Sequence, residues 1–587
     1  MTEVMGGLRP RRRIDALRRR FAGQGEEPEP VVPAERPAFQ RLLVDVVGTH
    51  LADRPAPLTV IISDRDRSQV EAWVQELRPE ARIHRLQPGD QVVPETLALG
   101  HPDLIIDEGE DGHRLRRMRG HLMLLCPGGV AMARLPRPGR RRVDAAAEQK
   151  AIADLAMDAT TGVFDKGAGL GKAPKKDREY AARVAAEFRA AHGHYLVVRR
   201  AKPDLIAVRV REEWSETLVA ARGIGTVRTF SEPTTFASRG SVTVSESDFR
   251  GPFATSWDVP AMFVRTYDDV VSAPGQVVHR DDLILPESFR HPPKERMGHD
   301  TMAVIAQDFG DPTVPSAYTE PSDGPVPVLE GAYFHLDNEF RGHFGHLLTE
   351  SVSRLWAWPE AKAQNPDLKV LLHPNSRPLA DYELAVYEAA GVAREDVVLV
   401  PHPVRVERLI GATQMFCNPY YVHPGIGDIW RQVGDRLAEQ ATDDEARPRR
   451  IFIGRRIEKR PCRNAAEVEA FFEGLGFTVV FPEDYSLGDQ VRLFREAEVI
   501  AGYAGSGLFT AMFVSEPKTM LIVTSESYSG ENEILIGGVL GHDIHVGFAT
   551  SEGKRRGTGW AGGSYHAPFT LDLGRTGEFF RNAVEGR

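Results

Sequence analysis

Residues whose types and spacing could carry chemistry concentrate in the second half of the 587-residue chain. In GAYFHLDNEFRGHFGHLLTESVSRLWAW (331–358), His343, His346 and Glu350 follow at i, i+3 and i+7, spacings that bring side chains onto one helix face. Two imidazoles and a carboxylate there suit general-base work, because the carboxylate can orient a ring and raise its basicity. The same donor types also fit a His/His/Glu metal site, and a helix surface carries histidines with no role at all. Further on, the segment after RRIFIG (449–454) holds Arg455, Arg456, Lys459, Arg460 and Arg463. The turn Gly502-Tyr503-Ala504-Gly505-Ser506-Gly507 then opens onto a helical pattern. Backbone N–H groups at a helix start and guanidinium forks together make a diphosphate site. Either feature alone is weak; both at one sheet edge point to an anionic ligand. The plainer readings are that Arg455 and Arg456 pair with surface acids and that Gln490 lies on a solvated helix face.

The elements that must position these groups follow from periodicity. RRIFIG, FTVVFPE (477–483), EVIAGYAG (498–505) and TMLIVTS (519–525) read as strands, with helical patterns between them. Such an array predicts a parallel sheet with helices on both faces and ligands at the carboxyl ends of its strands. His343 onward reads as a helix whose apolar stripe is Phe344, Leu347, Leu348, Val352 and Leu355. Residues 220–330 read as an antiparallel meander or irregular lead-in strands. The fold class is therefore α/β.

The first half repeats the α/β pattern without an evident site. LTVIISD (58–64), PDLIIDEG (102–109) and HLMLLCPGGVAMARL (121–135) read as strands, SQVEAWVQELRP (68–79) as a helix, and 194–214 as two strands returning to this domain. Asp64 or Asp66, Asp107 and the Pro127-Gly128-Gly129 turn resemble the second half of a class I S-adenosylmethionine-dependent methyltransferase. A cofactor site of that kind needs a Gly-rich first turn, and FQRLLVDVVGTHLADRPAP holds one glycine. The expectation is a Rossmann-like domain with no cofactor. The Gly/Lys string at 162–177 lacks the phosphate-loop spacing and reads as a loop.

Composition narrows the classes further. A net charge of −10 argues against bulk nucleic-acid binding. Three cysteines, Cys126, Cys417 and Cys462, give neither a disulfide framework nor a C-x-x-C pair, which favours a reducing compartment. No apolar run approaches a membrane span and nothing near the start has a signal-peptide core. The first 25 residues carry seven arginines against Glu3 and Asp15, a solvated arm or a contact for anionic lipid.

Three blocks of the second half resemble glycosyltransferase family 61, the bacterial capsular polysaccharide biosynthesis type. HFGHLLTESVSRL places the family histidine on His346 and its glutamate on Glu350. IGRRIEKRPCRNAAEV matches at Arg455, Arg456, Asn464 and Glu467. PEDYSLGDQVRLFREAEVIAGYAGSGL matches at Gln490, Gly502, Gly505, Gly507 and Leu508. The resemblance spans roughly 255–575 and has departures: the family's turn histidine is Ala504, an asparagine is Thr510, and the residue opening the helix motif is His343.

The resemblance implies a GT-B-like pair of Rossmann-like domains preceded by the methyltransferase-like one. The expected boundaries are 1–37 for the arm and linker, 38–214 for the first domain, 215–445 for the acceptor side and 446–587 for the donor side. The implied reaction is inverting, metal-independent transfer from a nucleotide sugar, with uridine diphosphate as expected carrier, to a saccharide hydroxyl. Glu350 and His346 would be catalytic, and Arg455, Arg456, Arg460, Gln490, Gly505, Ser506 and Gly507 would bind the donor. No metal and no cofactor beyond the nucleotide-sugar co-substrate are expected, and the location would be cytoplasmic, with the arm within reach of a membrane's inner face. The alternatives are a non-catalytic saccharide-binding or scaffolding protein and a glycan methyltransferase.

Overall fold

The computed structural model describes residues 35–63, 68–88, 92–108, 121, 124–134, 185–191, 195–200, 206–246, 253–281, 283–292, 316–317, 325–374, 378–442, 447–456, 459–557, 559–561 and 563–586. The arginine arm and the 162–177 string lie outside these residues. The chain divides into two compact units, Met1–Pro203 and Asp204–Arg587. Both are mixed α/β, as the sequence periodicity implies.

The first unit is built on a six-stranded sheet. Its strand Leu58–Ile62 is apolar along most of its length because it is buried throughout. It pairs in parallel with Arg82–Leu86 on one side and Leu104–Asp107 on the other, and Val130–Arg134 extends the parallel run. Ala185–Ala191 and Tyr195–Arg200 finish the sheet in antiparallel register. Leu43, Val46, Val70 and Val74 from two helices pack on Ile61, Ile106 and Met132. The chain thus winds outward in both directions from Leu58–Ile62. Asp64 and Asp66 lie outside the described residues. Gly129, before Val130, has little freedom to change: a Cβ there would meet the carbonyl oxygens of Cys126 and Pro102 at 3.0 Å each. Asp107 is buried with its Oδ2 2.7 Å from Nε2 of His121.

Only one of the two strands read in 194–214 joins this sheet. Ile206–Arg209 pairs instead with Leu283–Ile284 in the second unit. Periodicity identifies a strand but not its partner.

The second unit contains two large sheets. In the first, Val404–Ala412, Val328–His335, Lys369–Leu372 and Val397–Leu399 run parallel in that order. Met262–Ala273, Val277–Arg280 and Leu283–Ile284 form the antiparallel meander that extends it. The other sheet contains all four strands read near the end of the chain, as Arg450–Ile453, Thr478–Val480, Val499–Tyr503 and Thr519–Ser525, joined in parallel with Asp543–Ser551. Its outer parallel strand is Ser241–Val244, drawn from the stretch expected on the acceptor side. Gly240 permits that crossing, since a Cβ there would lie 2.3 Å from the carbonyl oxygen of His542. A single apolar core including Trp358, Trp430, Leu437, Phe494 and Phe513 runs between the elements of the two sheets.

A buried ionic network fixes the meander under the site. Arg265 donates from Nη1 to Glu287 Oε1 at 2.9 Å and from Nη2 to Glu212 Oε1 at 2.7 Å and Thr413 Oγ1 at 3.0 Å. The Tyr267 hydroxyl donates to the other oxygen of Glu287 at 2.7 Å. Removing one member strands buried charge, which typically costs about 3–5 kcal/mol. Arg265→Met is therefore expected to lower stability by about that amount. Equilibrium urea unfolding checks it, and an unchanged midpoint would show that the network is dispensable.

Candidate active site

The site helix leaves the end of Val328–His335 and is not one regular α-helix. Phe344–His346 is a single α turn, Leu347–Ser351 is wound as a π-helix, Val352–Ala357 as a 3₁₀-helix, and Trp358–Gln364 is α-helical again. Such π segments recur at functional sites. Leu347, Leu348, Val352 and Leu355 are buried as their spacing predicted, and Phe344 lies at the cavity wall. His343 precedes the helix in extended conformation at its N-cap, so it does not share the face of His346 and Glu350. Its ring nevertheless meets that of His346 edge-on at 4.8 Å.

His346 and Glu350 form a pair, with Nδ1 2.7 Å from Oε1. Arg290 Nε donates to the same oxygen at 2.9 Å. Sequence spacing gave no sign of Arg290, which lies 60 positions from Glu350. Phe340 braces both partners: the imidazole stacks on its ring at 4.5 Å, and the Arg290 guanidinium sits 4.7 Å from its centroid. Burial alone would raise the Glu350 pKa, but the charges of His346 and Arg290 outweigh it and hold the carboxyl well below the usual range. Glu350 Oε2 is buried and has no hydrogen-bond partner among the described residues. A carboxylate so stabilised is a poor proton acceptor. It is well suited to hold Nδ1 of His346 and leave Nε2 for chemistry. Among the described residues, no group of three or more His, Cys, Asp or Glu side chains is arranged to hold a metal ion.

The other wall comes from strand ends of the C-terminal sheet. Arg455 donates to the carbonyls of Ala504 at 2.5 Å, Arg460 at 3.1 Å and Lys459 at 3.3 Å. It has no carboxylate partner among the described residues, and burial together with Arg460 pulls its pKa down to about 10. Arg460 holds a positive φ of 57° and lays its guanidinium 3.9 Å from the Tyr528 ring centroid. Its Nε is buried without a partner among the described residues. Burial, Arg460 and Arg455 likewise depress Lys459. These are cations held in place and short of counter-charge, the condition for binding an anion.

Arg456 departs from expectation. It points away from the cavity, pairs with exposed Asp484 through both terminal nitrogens and lies over Phe481. Adjacent residues leaving a strand face opposite ways, so Arg455 turns inward and Arg456 outward. The glycine turn also departs in part. Gly505 has a φ of 136°, but its N–H donates to Glu533 Oε1 at 2.6 Å and is not available to a phosphate as it stands. Ser506–Phe513 is a 3₁₀-helix instead of an α-helix. Among the described residues the N–H groups of Ser506 and Gly507 have no acceptor, as expected for a first helical turn. Gln490 reaches the cavity with its amide nitrogen donating to the carbonyls of Pro482 and Tyr485 at 2.9 and 3.2 Å.

The two walls enclose one cavity of about 650 Å³, lined among others by His346, Glu350, Arg290, Arg455, Lys459 and Arg460. That volume lies within the usual range for small-molecule sites. The walls touch at Gly345, where a Cβ would lie 3.1 Å from Ser506 Cβ and 3.3 Å from Phe509. A cationic edge thus faces an imidazole held by a carboxylate across one cavity.

Residues 344–522 match the family model described as glycosyltransferase 61. The match falls within the stretch in which the three motif blocks resemble that family, a family of glycosyltransferases. No curated protein matches the chain. Among solved structures, phosphoethanolamine N-methyltransferase 2 of Haemonchus contortus, bound to phosphomonomethylethanolamine and S-adenosylhomocysteine, is 10% identical with a TM-score of 0.17. That match covers 63% of this chain and 63% of the other. A second structure of that enzyme, with S-adenosyl-L-methionine, is 11% identical with a TM-score of 0.17, covering 68% of this chain and 71% of the other. Likeness at this level carries no argument about function.

The two adjacent arginines should separate in a stability measurement. Arg455→Ala leaves two partly buried carbonyls without their donor and is expected to cost about 1 kcal/mol. Arg456→Ala removes an exposed pair and should leave the unfolding midpoint unchanged. Equal effects in thermal or denaturant unfolding would contradict the inward and outward placement.

Proposed function

We propose that the second unit is an active glycosyltransferase that moves a sugar from a nucleotide-sugar donor to a saccharide hydroxyl with inversion and without a metal ion. The observation that carries this reading is the single cavity in which the His346–Glu350 pair faces Arg455, Lys459 and Arg460. The sheets on its two sides are taken as the acceptor and donor halves of a GT-B-like pair, with the nucleotide on the C-terminal one.

In the proposed reaction His346 Nε2 removes the proton from the acceptor hydroxyl. The acceptor oxygen forms a bond to the anomeric carbon from the face opposite the diphosphate. The bond from that carbon to the phosphate oxygen breaks, and the nucleoside diphosphate leaves with the electron pair. Glu350, kept charged by Arg290, stabilises the imidazolium that forms. Arg455, Arg460 and Lys459 meet the growing charge on the leaving group, in surroundings where water screens it little. The amides of Ser506 and Gly507 add donors at the same edge. Gln490 orients the donor, while Arg456 plays no part in binding it.

Ala504 favours one second reading. It supplies no imidazole to the turn, so a saccharide-binding protein on a transferase fold would keep the cavity and lose turnover.

Turnover with uridine, guanosine and thymidine diphosphate sugars decides between them. His346→Ala should reduce kcat by about 10²–10⁴, the usual contribution of a positioned base, while nucleotide binding survives. Glu350→Gln should lower kcat in the same direction. Arg460→Ala should weaken nucleotide binding and Arg456→Ala should not. Nucleotide binding without any turnover would establish the binding-protein reading, and neither binding nor turnover would remove the donor site.

A further inference from the structure

Glu533 is a buried carboxyl beside the cationic edge that the reaction scheme does not use. It lies in the first turn of helix Glu531–Leu540 and is 1% exposed. Its Oε1 accepts the Gly505 N–H at 2.6 Å, and its Oε2 has no hydrogen-bond partner among the described residues. On the other side of that glycine stand the cations: a Cβ at Gly505 would lie 2.8 Å from Arg460 Nη2 and 3.4 Å from Arg455 Nη2. One residue of backbone therefore separates the carboxyl from the two guanidiniums that face the cavity. Gly530, whose added Cβ would lie 3.6 Å from Oε2 and 3.5 Å from Ala504 Cβ, closes the space beside it.

We propose, building on the donor site described above, that Glu533 is a proton-linked control of anion binding at Arg455 and Arg460. Protonated, it leaves both guanidiniums their full charge for a diphosphate. Ionised, it competes for the same two charges across the Gly505 turn, and the anion binds more weakly. By reciprocity the bound anion holds the Glu533 proton more tightly by the same factor.

The surroundings are consistent with a carboxyl that titrates at neutrality. Burial raises its pKa to about 7, with the Gly505 N–H, Arg460 and Arg455 opposing. The other charged or titratable groups at this place are Tyr528, whose ring underlies Arg460 and whose own pKa is raised by burial and by Glu533, and Lys459 and His566 beyond Arg460. The sign for stability follows. The unfolded carboxyl ionises near its ordinary value of 4.5 and the folded one at about 7, so proton binding favours the native state at low pH. That contribution is lost as pH rises through 7.

The test compares the full-length protein with its Glu533→Gln and Arg460→Ala variants between about pH 6 and about pH 8.5, spanning the titration. Without ligand, the melting temperature of Glu533→Gln should gain on that of the unmodified protein as pH rises. For ligands, uridine diphosphate glucose and guanosine diphosphate mannose carry no phosphate group that titrates in this window, and inorganic sulfate probes the cation pair alone. The affinity of whichever probe binds should fall roughly tenfold with rising pH, within the ordinary range of site-to-site coupling. It should stay level in Glu533→Gln and be weak throughout in Arg460→Ala. A melting gap independent of pH shows that Glu533 does not titrate, which overturns the proposal and leaves the donor site standing. A widening gap with pH-independent affinity also overturns it. If no probe binds in an Arg460-dependent manner, the donor-site reading and this proposal fall together.

Discussion

The contact at Gly345 is the constraint on which the site depends. The first turn of the site helix comes so close to Ser506 and Phe509 that a single added carbon would meet both. That approach lets groups from two different sheets share one cavity. Below it, buried side chains from both sheets pack as one core, with Trp358 and Leu355 on one side and Phe509, Met512 and Phe513 on the other. Such interiors are close-packed and deform little. The distance between the His346–Glu350 pair and the cations is therefore set by the packing of the whole unit, not by loop choice.

Within that frame the electrostatics divide cleanly. On the wall carrying His346, the charges are paired: Glu350 with His346 and Arg290, and farther in Arg265 with Glu212 and Glu287. Paired buried charges hold geometry. On the other wall, Arg455 and Arg460 are held by backbone carbonyls, an aromatic ring and one another's loop. Among the described residues no carboxylate pairs with them directly, and the nearest, Glu533, is bonded to the Gly505 N–H instead. A fixed, under-compensated cation is costly unless an anion completes it, and this asymmetry separates a wall of paired charges from a wall with cationic charge to spare.

Much of the frame was legible from periodicity. The four strands of the C-terminal sheet, the meander before it and the apolar stripe of the site helix all lie where two- and 3.6-residue patterns put them. His346 and Glu350 were legible because i,i+4 spacing survives even a π-wound turn. What was not legible depends on pairing across long distances. Ser241–Val244 and Ile206–Arg209 are ordinary short strands whose sheets are chosen by partners far along the chain. Arg290 reaches Glu350 only once the meander has been laid beside the site helix. Glu533 lies in a first helical turn, where acids are common, and nothing local marks it as buried behind Gly505.

The arginine pair shows how a motif can be read correctly and still mislead. Arg455 and Arg456 are equal as letters, and both match the family block. At the end of Arg450–Ile453 they leave on opposite sides, so one is held against the cavity by three carbonyls and the other by an exposed aspartate. Their chemistry is the same and their surroundings are not. Arg455 sits where burial strengthens its field and displaces water from whatever it meets, whereas the field of Arg456 is spent on Asp484 in solvent, where salt would screen what remains. The third cation, Arg460, turns inward through a left-handed backbone that a non-glycine residue rarely adopts. Such conformations persist only where the surroundings over-determine them. Here they are determined by Tyr528 beneath the guanidinium and by Gly505 beside it. What the loop offers the cavity therefore rests less on how many arginines it contains than on which of them the fold leaves without a directly paired carboxylate.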